Sequence, residues 1–259
     1  MTSNESLNKL GYRLGRGGTH AARTMMLEEL TLLFGRTAPD AARDDYREQI
    51  VSLNALGKPT QKSRELTFGH LAELYALDPA IPVFRVFRNL WERDELARPL
   101  LTLTLALARD PVLRLSESFV LSKAEGEQVR REDVEALIVA AEPDRFSPAT
   151  LKSIAQNING SWTQAGFLAG RVRKTRTMPT VTPTNITFAL FLGHLEGLSG
   201  QRLFTSRWMS LMCGSPGELE ALANSASHRG QIVFLNAGGV KEVRFPGFLT
   251  ADEEQWLDE

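Results

Sequence analysis

From Thr19 to about His228, apolar residues return every three or four positions, and proline or glycine interrupts them at short intervals. That period is the signature of helices with one buried face, and the interruptions keep each helix short. The chain is therefore predicted to pack as a bundle of helices. After Gly230 the period changes. In "QIVFLNAGGVKEVRFPG", Ile232 to Leu235 face Val240, Val243 and Phe245 across an Asn236–Gly239 turn, which predicts one β-hairpin.

Each helix carries its own stop and start signals. Residues Met1 to Gly18 are glycine-rich and predict a loose arm. Thr19 is placed to cap a helix reaching Phe34, with Met25, Met26, Leu30 and Leu33 as its stripe. Further helices are predicted from Pro39 to Leu56, across "SRELTFGHLAELYAL", across "PVFRVFRNLW", and across "DELARPLLTLTLALARD". The run Leu100 to Ala108 is too short to cross a bilayer and reads as a buried helix. The second half offers "REDVEALIVAAEP", then "SPATLKSIAQNINGSWTQAGFL" with Ser147 as cap and Pro148 in the first turn. "TPTNITFALFLGHLEG" and "GELEALANSASHRG" follow. The polar stretch Ser122 to Asp133 divides residues 1–125 from 126–259 as two domains, or forms a surface loop within one.

Charge is unevenly spread. No Asp or Glu occurs from Arg145 to Leu195, and the window holds Arg145, Lys152, Arg171, Arg173, Lys174 and Arg176, a formal +6 in a chain whose total is -1. Local asymmetry of this kind governs polyanion binding more than the total does. A helix, then "GFL", then a basic stretch bounded by glycine and proline is the order of a winged helix-turn-helix unit. In that arrangement a helix enters a groove and the following hairpin grips phosphate. On this reading Thr150–Ala165 is the recognition helix, with Lys152, Gln156, Asn157 and Asn159 directed at duplex DNA. Leu168–Val181 is the wing, with Arg171, Arg173, Lys174 and Arg176 at its tip. The alternative is an ordinary solvated loop. A second helix–hairpin unit, "GELEALANSASHRGQIVFLNAGGVKEVRF", has few cations and reads as a packing or protein-contact module. In the first half, Lys58, Lys62 and Arg64 precede or open a helix, where the dipole disfavours cations and phosphate would suit them, unless they are plain surface charges. "GRGGTH" lacks the spacing of a phosphate loop and leaves Arg13, Arg16 and Arg23 as possible phosphate contacts on the arm.

No catalytic or metal-binding pattern is legible. His20, His70, His194 and His228 lack ligand spacing, and no nucleophile motif occurs. The chain is therefore expected to be non-enzymatic and to need no cofactor. Cys213 is the sole cysteine, which points to a reducing compartment, and the start "MTSNESLNKLGYRLGRGG" has no apolar core of a signal peptide, so a cytoplasmic protein is expected. Two other partners are consistent with the pattern: a protein docking on apolar surface around Trp208, Met209 and Met212, or structured RNA.

The order of features resembles the BrxA family of BREX phage-defence systems. "SLNALGKPTQKSRELTFGHLAELYAL", Leu90-Trp91, the apolar helix that follows and "SPATLKSIAQNINGSWTQAGFL" carry the resemblance, within Ser3 to Met212. It implies a small, mostly helical, non-enzymatic DNA-binding protein with helix-turn-helix-like units. Such a protein would act beside a methyltransferase and large ATPases. After Gly214 the chain departs from that pattern with the additional hairpin "VFLNAGGVKEVRF".

Overall fold

The computed structural model describes residues 2–257 and is mainly helical, with a two-stranded antiparallel hairpin near the C-terminus. Its N-terminal segment corrects the expectation of a loose arm. Helix α1 (Asn4–Leu10) is capped by Ser3, whose Oγ accepts the Ser6 N–H at 3.1 Å. Gly11 ends it at φ +110, and a Cβ there would collide with the Ile81 and Val83 side chains. Tyr12 then enters the core and donates its hydroxyl to the Leu192 carbonyl at 2.9 Å. Burying Tyr12 and Leu10 outweighs the freedom that the glycines give the free chain.

Two predicted helices are also shorter than their patterns. Thr19–Ala21 is a single 3-10 turn, and helix α2 begins only at Leu27 (Leu27–Phe34). Between them the Met25 N–H is bonded to Ser161 Oγ at 2.8 Å, a tertiary partner in place of an intrahelical one. The stretch predicted from Pro39 to Leu56 holds only α3 (Arg43–Arg47) and a π turn at Glu48–Ser52.

Helices α4 (Gln61–Tyr75), α5 (Pro82–Arg93) and α6 (Arg98–Arg109) follow their sequence periods. In α6 every residue from Leu100 to Arg109 is buried. Its two threonines are tolerated because Thr102 and Thr104 each donate 2.7 Å back to the carbonyl four residues earlier. Arg109 bridges the Gly11, Ala72 and Glu73 carbonyls, and burial pushes its guanidinium down to about 10. Phe34, Tyr46, Phe84, Phe87 and Trp91 interlock with centroids 5.2–6.2 Å apart in the same core.

Short helices α7 (Pro111–Arg114) and α8 (Glu117–Ser122) lead into strand β1 (Gln128–Val129). Helix α9 (Arg131–Ala141), helix α10 (Pro148–Gln164), β2 (Leu168–Ala169) and β3 (Lys174–Arg176) follow. β3 lies between the other two strands, antiparallel to both, with Leu168 opposite Arg176 and Gln128 opposite Thr175. Helix α11 (Pro183–Leu195) is buried almost all round and packs on α5, α13 (Arg207–Ser210) and α14 (Pro216–His228), with α12 (Gln201–Phe204) beside it. Trp208, Met209 and Met212 are buried against this core, so they offer no docking surface, contrary to the sequence expectation. Arg207 covers the Trp208 ring at 4.0 Å. β4 (Val233–Ala237) and β5 (Val240–Arg244) form the predicted hairpin. Its turn is the two residues Gly238 and Gly239, both at positive φ, rather than the four predicted. Helix α15 (Ala251–Gln255) closes the described chain.

Candidate nucleic-acid interface

Helix α10 is built to show one face. Ser147 Oγ accepts the Thr150 N–H at 3.2 Å, and Pro148 starts the first turn. Ile154, Ala155, Ile158 and Trp162 are buried. Trp162 donates its indole N–H to Ser116 Oγ at 2.8 Å and meets Phe167 edge-on at 4.8 Å. Lys152 and Gln156 lie on the exposed face. The other two helix positions expected at DNA do not reach solvent freely. Asn157 is half-buried and donates to the His20 carbonyl at 3.1 Å, and Asn159 is 5% exposed. The reason is that α10 is covered on two flanks, by α9 and by the 3-10 turn at Thr19–Ala21.

The loop between β2 and β3 carries the basic tip. Gly170 turns it at φ +96, where a Cβ would strike the Arg173 carbonyl oxygen. Val172 at the apex is 92% exposed, and Arg171 and Arg173 beside it are exposed with no partner among the described residues. Lys174 braces the loop by donating to the Gly170 carbonyl at 2.6 Å, a neutral acceptor that leaves its charge uncompensated.

Arg176 is a correction. It is 3% exposed and turned inward, donating to the Phe167 carbonyl at 3.4 Å, to the Thr177 carbonyl and to Cys213 Sγ at 3.2 Å, over the Phe167 ring. Directly opposed residues of an antiparallel pair share a face, so its pairing with buried Leu168 sends it into the protein. Burial pushes the Cys213 thiol up, against the opposing pull of Arg176. Arg145, at the edge of the acid-free window, pairs with Glu142 at 2.8 Å. The uncompensated cations of the window are therefore Lys152, Arg171, Arg173 and Lys174.

The first-half cations are mostly engaged. Lys58 pairs with Glu29 at 3.1 Å, and Arg64 donates to the Lys58 and Val51 carbonyls at 3.4 Å each. Thr60 and Ser63 cap α4 reciprocally, so its N-terminus is already served. Arg13 pairs with Glu73 at 2.7 Å, and Arg23 donates to the Ala22 carbonyl. Lys62 and Arg16 remain exposed.

One constellation left no mark in the sequence. His20 Nδ1 lies 2.8 Å from Asp110 Oδ2, and its Nε2 lies 2.8 Å from Ser161 Oγ. The order of bonds is that of a Ser-His-Asp triad, yet the three residues are 0%, 1% and 0% exposed. Ser161 Oγ already accepts the Met25 N–H, and Asp110 Oδ1 already accepts the Val112 and Leu113 N–H groups at 3.0 Å. The trio is a sealed staple that ties the N-terminal segment, the α6–α7 junction and α10 together. Gly18 makes room for it, since a Cβ there would overlap the Asp110 carboxylate. Burial pushes the Asp110 carboxyl up, but His20 and the backbone N–H donors outweigh it and hold the group below its ordinary value of 3.8. Residues 20, 110 and 161 are too far apart for any local motif to reveal them.

Among the described residues, no three His, Cys, Asp or Glu side chains gather to hold a metal ion. No helix among them is long and apolar enough to cross a membrane. A scan against protein-family models finds no match, and a search of curated proteins finds no significant relative.

Proposed function

We propose that this chain is a non-enzymatic accessory protein that binds duplex DNA, chiefly through phosphates, with residues 117–176 acting as a winged helix. The observation that carries the reading is the order α8, β1, α9, α10, β2, β3, with the strands arranged β1–β3–β2 and unpaired arginines at the loop tip. That order places a helix and a basic hairpin side by side, as groove and backbone contacts require. Lys152 and Gln156 are the helix contacts, and Arg171, Arg173 and Lys174 are the wing contacts. Arg176 holds the wing to the body. The resemblance to the BrxA family supports a place in a cytoplasmic phage-defence assembly of BREX type, beside other proteins of that system.

Fluorescence anisotropy on a labelled duplex of about three helical turns tests the reading. Four neutralised phosphates give a log–log salt slope of about -3.6, a loss of about 150-fold between roughly 50 and 200 mM salt. Changing Arg171, Arg173 and Lys174 together to Ala reduces that slope to about -0.9. Affinity insensitive to salt, or an unchanged slope in the triple variant, refutes the wing as the contact.

A second reading, a protein-docking adaptor, is favoured by one observation. Val233, Leu235 and Val240 are exposed on the hairpin. Retention of a partner protein by the wild type, lost in Leu235→Ser/Val240→Ser while duplex affinity is absent in both, selects that reading.

A further inference from the structure

Helix α4 carries a glycine that nothing inside the fold explains. Phe68, Leu71 and Tyr75 bury one face of the helix. The opposite face is the stripe Lys62, Glu65, Leu66, Gly69, His70 and Glu73, which lines an open groove of about 530 Å³. Gly69 stands in the middle of α4, where only proline is less favourable to a helix. A Cβ at Gly69 would meet nothing within 4 Å, and the backbone there is not left-handed. Neither crowding nor conformation within this chain therefore requires glycine. Leu66, three residues earlier on the same stripe, is 49% exposed. Lys62 is exposed and has no partner among the described residues.

A missing Cβ lets a neighbour approach the backbone closely. The order of charges along the stripe specifies which neighbour. Lys62 stands at one end and Glu73 at the other, with Leu66 and Gly69 between them. Lay an identical helix antiparallel on this face, with a two-fold axis passing between Thr67 and Phe68. Each Leu66 then sits over Gly69 of the other copy, and each Lys62 meets Glu73 of the other copy. A two-fold axis makes every such contact twice. A parallel copy would instead set Lys62 against Lys62, and a polyanion would meet Glu65 and Glu73. Glu73 already holds Arg13 at 2.7 Å and accepts the Thr19 hydroxyl at 3.0 Å, and the second lone pair of each carboxylate oxygen is left for an ammonium. Burial, and then Arg23, push the His70 imidazole below its ordinary value, so it adds no charge to the face at neutral pH. We propose that the chain forms a two-fold dimer through the outer face of α4, with Leu66 of each copy seated on Gly69 of the other and Lys62 paired with Glu73 across the interface. The surface shares no residue with the wing, so the dimer stands whether or not a duplex is bound.

Sedimentation-velocity ultracentrifugation of the full chain over a range of concentrations tests it. One helix pair lies at the small end of specific interfaces, so a dissociation constant on the order of 10 μM is expected. Gly69→Leu fills the seat with a residue that favours the helix, and Lys62→Glu reverses an exposed, unpaired charge. Each is expected to weaken the dimer at least about tenfold while the monomer stays folded. At concentrations where the chain is monomeric, Gly69→Ala is expected to raise Tm, because alanine is the better helix former. Cross-linking in a Cys213→Ser background reads the register. Lys62→Cys mixed with Glu73→Cys is expected to give a disulfide-linked dimer on mild oxidation. Either protein alone is expected to give none, because the two-fold axis separates like positions by about 16 Å along the helix. A chain still monomeric at about twenty times the expected dissociation constant overturns the proposal. So does a dimer that survives both Gly69→Leu and Lys62→Glu, since it lies on another face. A monomer that retains a different protein, and loses it in Gly69→Leu, overturns the proposal in favour of a heterologous partner.

Discussion

Replacing Asp110 by Ala removes the centre of the His20–Asp110–Ser161 staple, and its cost follows from the bonds. Two N-cap bonds to Val112 and Leu113 are lost, worth about 1 kcal/mol together. The buried partner of His20 also disappears, leaving its ring and backbone N–H without acceptors. Breaking a buried pair in this way costs about 3–5 kcal/mol. The expected loss at neutral pH is about 4–6 kcal/mol, a fall of about 10 °C in Tm for a chain of this length. Asp110→Asn keeps an acceptor for the cap and is expected to lose less than half as much. The measurement is urea unfolding of the three proteins across pH. The folded-state carboxyl titrates below its ordinary value of 3.8, so its contribution is complete above that pH and fades as pH falls through the folded value. The gap between wild type and Asp110→Ala should therefore narrow only in strong acid. A loss under about 1 kcal/mol, or a gap that widens on acidification, would refute the staple.

Arg176→Ala is expected to lower stability by about 1.5–3 kcal/mol through its lost carbonyl bonds, whereas Arg173→Ala leaves stability within about 0.5 kcal/mol; thermal melts of both decide it. Gly170→Ala is expected to disorder the wing, because the turn is left-handed and closed against the Arg173 carbonyl. The test is a several-fold loss of duplex affinity with little change in far-UV circular dichroism. Asn159→Leu removes an unsatisfied buried amide and is expected to hold or raise Tm; a fall of more than about 2 kcal/mol in stability would mean that the amide has a partner in the fold. Trp162→Ala is expected to cost about 3–5 kcal/mol, read by chemical denaturation, since the indole fills the core and holds Ser116.

What the sequence alone determined is the set of elements whose signals are local. Ser147-Pro148 marked the start of α10, because caps and first-turn prolines act within a few residues, whereas α11, expected to start near Thr184 or Asn185, is capped at Thr182 with Pro183 in its first turn. The change of period after Gly230 marked the hairpin, and the missing carboxylates from Arg145 to Leu195 marked the basic segment. The tertiary structure decided which side of each element faces inward and where distant residues meet. Arg171 and Arg176 look alike in sequence, and only the pairing of Arg176 with Leu168 turns one into the protein while the other stays at the tip. Asn157 and Asn159 fall on flanks of α10 whose burial depends on α9 and on a 3-10 turn more than a hundred residues away. The N-terminal segment is ordered because Tyr12 finds Leu192, and the Thr19–Phe34 helix is broken because Met25 finds Ser161. In each case a buried hydrogen bond or packed ring from a remote part of the chain outweighs local propensity worth a few tenths of a kcal/mol per residue.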